Sequence, residues 1–350
     1  MAELGVVILL FQVGLESNIK KMAQKGTRAL MVAIIGVVAP FVLGTFLVGP
    51  WLLPGLDFNT YLFLGAALTA TSVGITARVF RDLGQSQSDE AGIIIGAAVI
   101  DDIMGLIVLA VVSAIVTEGS VSVASVAIII AKAIGFLVGA IVIGQLTAKS
   151  IGKFFSWIHT GVGMKFTLAI VFALIFAAVA GLIGLAPIVG AFAAGLILDP
   201  VHFSYFKKPK SVEDLEMHAE EITDEQTKQR LKHIADEHSE KHIEDLIEPV
   251  ANMFVPLFFV YTGMNVKLDT LFDPKILLVA LGITAVAFVG KYVAGLVAGN
   301  VNKNIVGFGM VPRGEVGLIF ATIGKGLGVL NDEVFSVIVV MVILTTLITP

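Results

Sequence analysis

The sequence predicts an all-α fold: a polytopic membrane helical bundle with inverted three-helix repeats and two crossing discontinuous helices. Three observations carry this. Hydrophobic residues make up 57% of the chain and charged residues 15%, with a mean hydropathy of +0.94, a balance that a water-soluble domain of 350 residues cannot cover with polar surface. Apolar stretches without strict alternation recur near the roughly 20 residues that cross the hydrocarbon, which selects helices over a barrel. Two of these stretches, at corresponding places in two matched groups, are interrupted by polar and helix-breaking residues.

In chain order the apolar segments are 1–15, 28–49, 60–80, 90–116, 122–146, 164–184, 186–199, 249–267, 275–298, 303–328 and 333–350. The first is too short to span and lacks the basic start and cleavage site of a signal peptide, so it is expected to be a helix clipped at its start. The segment 60–80 carries Thr69-Ala70-Thr71-Ser72-Val73-Gly74 at mid-depth, and 90–116 carries adjacent carboxylates, Asp101 and Asp102. Gly135 with Gly139, in 122–146, and Gly295 with Gly299, closing 275–298, have the spacing that lets helices approach closely. The segment 303–328 is broken by Val311-Pro312-Arg313-Gly314-Glu315.

The groups 28–116 and 275–350 start with the second and the ninth segments, so they cross the membrane in opposite senses. Each has an interrupted middle member. Broken segments at matching places in inverted halves point to a binding site at the midplane, because freed backbone groups there are satisfied only by ions, side chains or cavity water. This is the pattern of a secondary transporter.

Orientation follows from the basic residues. Lys20, Lys21, Lys25, Arg28, Arg78, Arg81, Lys149, Lys153, Lys165 and Lys303 lie in one set of connections, against Lys267, Lys275 and Lys325 in the other. The first set is therefore cytoplasmic and Met1 faces outside. The long connection 203–248 joins the cytoplasmic set, with thirteen carboxylates, seven Lys or Arg and four histidines. It reads as charged helix with room for regulatory contacts. His238 and His242, one turn apart, have the spacing of a pH sensor or metal pair, although a solvated face is the plainer reading of such a charge run. The chain has no cysteine, which excludes disulfides and thiolate chemistry. Nothing in it calls for nucleic acid or a resident cofactor.

A carboxylate at the centre of a membrane helix costs on the order of 3 kcal/mol, so two side by side are best explained by a task. Consecutive helical residues point about 100° apart, so Asp101 and Asp102 address different partners. Lys291, in the opposite group, is as costly alone as a carboxylate, which assigns Asp101 to Lys291 as an ion pair. Asp102 is then left beside Thr71 and Ser72, whose hydroxyls, with carbonyls of the broken segment, supply hard oxygen ligands suited to Na⁺ or Li⁺. A cation arriving at Asp102 displaces its proton. If it also loosens the Asp101–Lys291 pair, a second proton leaves from the lysine and exchange is electrogenic. Arg313 and Glu315 are assigned as structural charges that neutralise the dipole ends of a broken helix.

These residues resemble a known family. Ala2-Glu3-Leu4-Gly5, Phe11-Gln12-Val13-Gly14-Leu15-Glu16, Ala70 to Val79, Ala98-Val99-Ile100-Asp101-Asp102, Pro187 to Phe192, Val255 to Phe259, Gly290-Lys291 and Pro312-Arg313-Gly314-Glu315 are similar to motifs of the bacterial cation:proton antiporter-2 family, in particular its NapA-like Na⁺/H⁺ antiporters and Kef-type relatives. The resemblance implies an NhaA/NapA-like fold of thirteen helices, two of them missing at the N-terminus here, and a homodimer working by an elevator motion. It implies a partial dimerisation helix in 1–27, core repeats in 28–116 and 275–350, a linker helix in 117–160, and scaffold helices in 161–200 and 249–274, with 201–248 the charged loop. It also implies that the first aspartate pairs with the lysine and the second binds the ion. The Asp-Asp pair resembles the electrogenic Na⁺ branch, whereas Kef-type potassium systems typically carry Gln before the aspartate. The expected setting is a prokaryotic inner membrane, or another energised membrane such as the thylakoid, with a role in pH homeostasis. K⁺/H⁺ exchange is the alternative.

Three other classes fit less well. A channel could use the same acidic site, but an ion pair in inverted broken repeats suits occlusion rather than continuous flow. An intramembrane aspartyl protease needs carboxylates facing each other, which neighbours on one helix cannot do. A ligand sensor on a transporter scaffold would show no cation-dependent proton movement.

Overall fold

The computed structural model of the chain describes residues 2–16, 19–85, 88–119, 123–198, 206, 210–221, 224–266, 269 and 273–348. Among them the regular structure is helical, without a strand. Six helices among the described residues are long and apolar enough to cross a membrane, and the protein is a multi-pass integral membrane protein.

The helices are α1 (Ala2–Glu16), α2 (Ile19–Val42), α3 (Gly49–Leu52), α4 (Phe58–Ala67), α5 (Val73–Asp82), α6 (Asp89–Glu118), α7 (Val123–Ile158), α8 (Val162–Leu182), α9 (Pro187–Ile197), α10 (Lys210–Glu221), α11 (Glu225–Met264), α12 (Pro274–Tyr292), α13 (Lys303–Gly309), α14 (Glu315–Gly326) and α15 (Asp332–Ile348). Their ends carry the expected local chemistry. Ser88 accepts from the Ala91 N–H at the start of α6, Asp273 from Lys275 at the start of α12, and Asn302 from Asn304 and Ile305 at the start of α13. Gly119 closes α6 at φ 76°, a backbone that side-chain-bearing residues rarely adopt.

Two compact units form. The first comprises residues 1–17 and 134–259, the second 18–133 and 260–350, so α7 and α11 each belong partly to both. In the first unit, glycines let backbones touch. A Cβ on Gly14 of α1 would strike the Phe192 carbonyl of α9, and one on Gly195 of α9 would strike the Phe11 carbonyl of α1. Phe11, Leu168, Ala169, Ala191, Ala194 and Ile247 fill the core that results.

The second unit holds both three-segment groups. Ala29, Val32 and Ala33 of α2 pack with Ile93, Ile94 and Ala97 of α6, and with Ala294, Val306 and Met310 from the other group. The middle member of each group is broken: α4 and α5 are separated by residues 68–72, and α13 and α14 by residues 310–314.

In three places the helices do not follow the bounds of the apolar segments. The segment 249–267 is not a helix of its own but the end of α11, a helix of 40 residues that begins in the charged stretch and continues through Pro249 and Pro256; a change of hydropathy alone does not unwind a backbone whose residues favour helix. The segment 122–146 likewise continues to Ile158. The segment 28–49 ends in a π-helical turn, Leu43–Val48, where Thr45 lies so close to Gly65 of α4 that a Cβ there would collide with its hydroxyl. The side chains of His238 and His242 lie outside the described residues.

Candidate functional site

The two breaks meet and are tied to each other. The Ser72 N–H donates to the Pro312 carbonyl at 2.9 Å. Thr71 Oγ1 donates to the Met310 carbonyl at 3.3 Å, and Thr76 Oγ1 to the Gly309 carbonyl at 2.8 Å. Backbone groups released by each broken helix are thus satisfied by the other, as the absence of water at this depth requires. Close approach depends on Gly314, where a Cβ would fall 2.8 Å from both Cβ and Oγ of Ser72.

Arg313 is fully buried, and among the described residues its guanidinium bonds to main-chain carbonyls and to no carboxylate. Its Nη1 donates to the carbonyls of Val311 at 2.6 Å and Met310 at 3.4 Å, and its Nη2 to those of Leu68 and Ala287, each at 2.9 Å. Leu68 and Met310 cap the C-terminal ends of α4 and α13, where orphan carbonyls concentrate negative potential. The planar guanidinium fork reaches carbonyls of both breaks at once, which a single ammonium point charge does less well. Among the described residues its Nε has no partner.

Asp101 and Asp102 lie on α6, 1% and 4% exposed. Lys291, near the end of α12 and wholly buried, places Nζ 2.8 Å from both oxygens of Asp101. Close contact makes up for part of the large cost of removing both charges from water, and the balance is set by the hydrogen bonds around them.

Asp102 stands differently. Among the described residues no cation pairs with it and no donor reaches its carboxylate; the charges nearest it electrostatically are Asp101, Glu315 and Lys291. Glu315 opens α14, a favourable place for negative charge at a helix N-terminus. Thr71, which the sequence reading set beside Asp102, gives its hydroxyl to the Met310 carbonyl, because the break that carries it is anchored to residues 310–312. Ser72 lies against Gly314, the residue before Glu315. Lys132, which falls within the apolar segment 122–146, is exposed on α7. Thr76 lies in the Ala70–Val79 motif without a role assigned from the sequence, although its position one turn after Ser72, the N-cap of α5, puts it on the same face.

Chemically, the arrangement holds one neutralised carboxylate and one free carboxylate side by side, with hydroxyl and carbonyl oxygens of two broken helices close by. A free carboxylate of this kind accepts a proton or a hard monovalent cation.

The chain matches the family described as sodium/hydrogen exchanger, transmembrane, over residues 1–219 and 232–350. It is 38% identical, over its full length and 69% of the relative's, to the high-affinity Na⁺/H⁺ antiporter NhaS3 of Synechocystis. It is 32% identical, again over its full length and 81% of the relative's, to the Na⁺/H⁺-K⁺ antiporter GerN of Bacillus cereus. Among solved structures, the sodium proton antiporter MjNhaP1 of Methanocaldococcus jannaschii has the same fold, with a TM-score of 0.66 at 19% identity, covering 99% of this chain and 82% of that one. With a family match that spans nearly every residue, this chain belongs to the transmembrane sodium/hydrogen exchanger family.

Proposed function

We propose that the protein is a secondary cation:proton antiporter that exchanges Na⁺, and Li⁺, for protons by letting the two compete for Asp102. The supporting observation is the free, buried carboxylate of Asp102 next to the closed Asp101–Lys291 pair, beside the meeting point of two broken helices. Burial leaves the carboxylate without the water that would otherwise satisfy it, so occupation by either H⁺ or a metal ion is favoured and both together are not. Cation entry also weakens the hold of Asp101 on Lys291, so that a second proton departs and each cycle moves net charge. Arg313 and Glu315 keep the crossing in place; neither carries the ion.

In this reading the unit of residues 18–133 and 260–350 is the ion-carrying core, and the unit of 1–17 and 134–259 is the scaffold through which two copies of the chain form a homodimer. The core moves as one body to expose the site alternately. The protein is a transporter rather than an enzyme and needs no cofactor. It sits in an energised membrane such as a prokaryotic inner membrane, where it supports pH homeostasis.

A second reading, K⁺/H⁺ exchange at the same carboxylate, is favoured by one observation: the Bacillus cereus relative carries K⁺ in its name. Proton flux in proteoliposomes, driven in turn by Na⁺, Li⁺ and K⁺, separates the two. Asp102→Asn is expected to abolish exchange with every cation. Undiminished exchange in that variant would rule out the site.

A further inference from the structure

Pro40 lies inside α2. Proline has no N–H, so the carbonyl four residues earlier, that of Gly36, lacks its usual helical donor. Gly36 is also the residue of α2 that faces the lysine: a Cβ built on it would lie 3.5 Å from Lys291 Nζ, with Met310 Cε at 3.5 Å and Ala294 Cβ at 3.6 Å closing the surroundings. The ammonium therefore rests over the bare Cα of the residue whose carbonyl the proline has released. Gly290, immediately before the lysine, holds this arrangement. A Cβ there would fall 2.9 Å from Pro40 Cα and 3.0 Å from its N and Cβ, so only glycine lets α12 pack its backbone against the proline.

An ammonium has three N–H groups, and Asp101 engages two of those on Lys291. We propose that the main-chain carbonyl of Gly36, freed by Pro40, is the second seat of Lys291 Nζ, accepting from its N–H groups when Asp101 lets go. This rests on the exchange reading, in which cation entry loosens the ion pair. Once Asp101 lets go, Nζ is an ammonium until its proton departs and an amine afterwards, and in either form its N–H groups need an acceptor at a depth where no water reaches. The carbonyl gives it a short move to an uncharged oxygen, from which it returns once the cation has left. Gly36, Pro40 and Gly290 are positioning residues that act through Lys291.

Pro40→Ala supplies the missing N–H and sets it in competition with the ammonium for the Gly36 oxygen. A merely structural proline predicts the same change in every background, whereas action through Lys291 predicts coupling. The first measurement is thermal unfolding of the full chain in detergent, for wild type, Pro40→Ala, Asp101→Asn and the double variant. Pro40→Ala is expected to raise the melting temperature of wild type, because a helix-interior proline is removed, and to lower it in Asp101→Asn, where the lysine depends on Gly36. Equal shifts in both backgrounds would overturn the proposal. The second is Na⁺-driven proton flux in proteoliposomes: Pro40→Ala is expected to slow maximal turnover at least fivefold with the apparent KM for Na⁺ within twofold of wild type. Unchanged turnover, or a loss confined to KM, would also overturn it. The melting cycle requires no transport, so failure of the Asp102 assignment leaves it readable.

Discussion

Lys291 and Asp101, 190 residues apart in sequence, meet in a closed ion pair in which Nζ is 2.8 Å from each carboxylate oxygen and neither side chain is exposed. Neither partner is tolerable alone.

Removing one of them is therefore expected to be costly. Lys291→Ala leaves an uncompensated buried carboxylate, a change that typically destabilises by about 3–5 kcal/mol. Asp101→Asn with Lys291→Gln keeps the shape without the charges and is expected to recover most of that loss. Thermal unfolding in detergent of the two singles and the double checks this, and additive losses would show that the pair is not coupled.

Competition at one carboxylate fixes a pH dependence. Where protons hold both Asp102 and Lys291, each unit fall in pH is expected to raise the apparent KM for Na⁺ by more than tenfold and up to about a hundredfold, because up to two protons leave for one cation to bind. At higher pH, where Asp102 is already free, the slope falls to about tenfold per unit, and KM becomes flat only where the lysine proton is gone as well. Sodium titrations of proton flux at a series of pH values measure the slope. A KM that stays constant over the whole range, with only turnover changing, would place the proton elsewhere.

At the meeting of the breaks, Gly314→Ala introduces a Cβ 2.8 Å from Ser72. Overpacking of this kind costs about 1–3 kcal/mol. Because Ser72 is held by Pro312, the displacement falls on the crossing itself, and transport is expected to drop more than folded yield. Comparing flux per folded protein for Gly314→Ala with that for Gly263→Ala, where a Cβ meets nothing within 4 Å, tests the point.

Arg313 offers a sharper contrast. Its four carbonyl contacts come from two breaks and from α12, and hydrogen bonds made by a charged donor contribute about 1.5–3 kcal/mol each. Arg313→Lys keeps the charge but loses the fork, so it is expected to lower stability by about 2–4 kcal/mol. Hydrogen exchange at Leu68–Ser72 and Met310–Gly314 is expected to accelerate in that variant ahead of the rest of the second unit.

Much of this was legible in the sequence for a physical reason. A proline, glycines, hydroxyls and charges inside apolar segments have few uses in a bilayer other than breaking a helix and satisfying what the break releases, so Thr69–Gly74 and Val311–Glu315 stood out. So did Asp101, Asp102 and Lys291, because each is expensive where it sits. What escaped was whatever hydropathy does not record. The continuation of α11 into the charged stretch is invisible to it, since Glu, Lys, Gln and Arg are good helix formers. The π-helical turn Leu43–Val48 contains Gly44, but a lone glycine in an apolar run does not announce a change of helix type. The target of the Thr71 hydroxyl depended on which carbonyl the opposite break presents, a matter of register between segments some 239 residues apart. Pro40 was visible as a letter, yet its effect on Gly36 matters only because α12 brings a cation to that spot.

The single main-chain bond from Ser72 to Pro312 has a mechanical corollary. Two elements stitched together at their weakest points cannot swing apart like the leaves of a door, since either leaf would drag a bare peptide group into oil. Whatever cargo rests at that seam has to be ferried with the seam intact, and the sliding surfaces must lie farther out, where side chains rather than peptide groups part company.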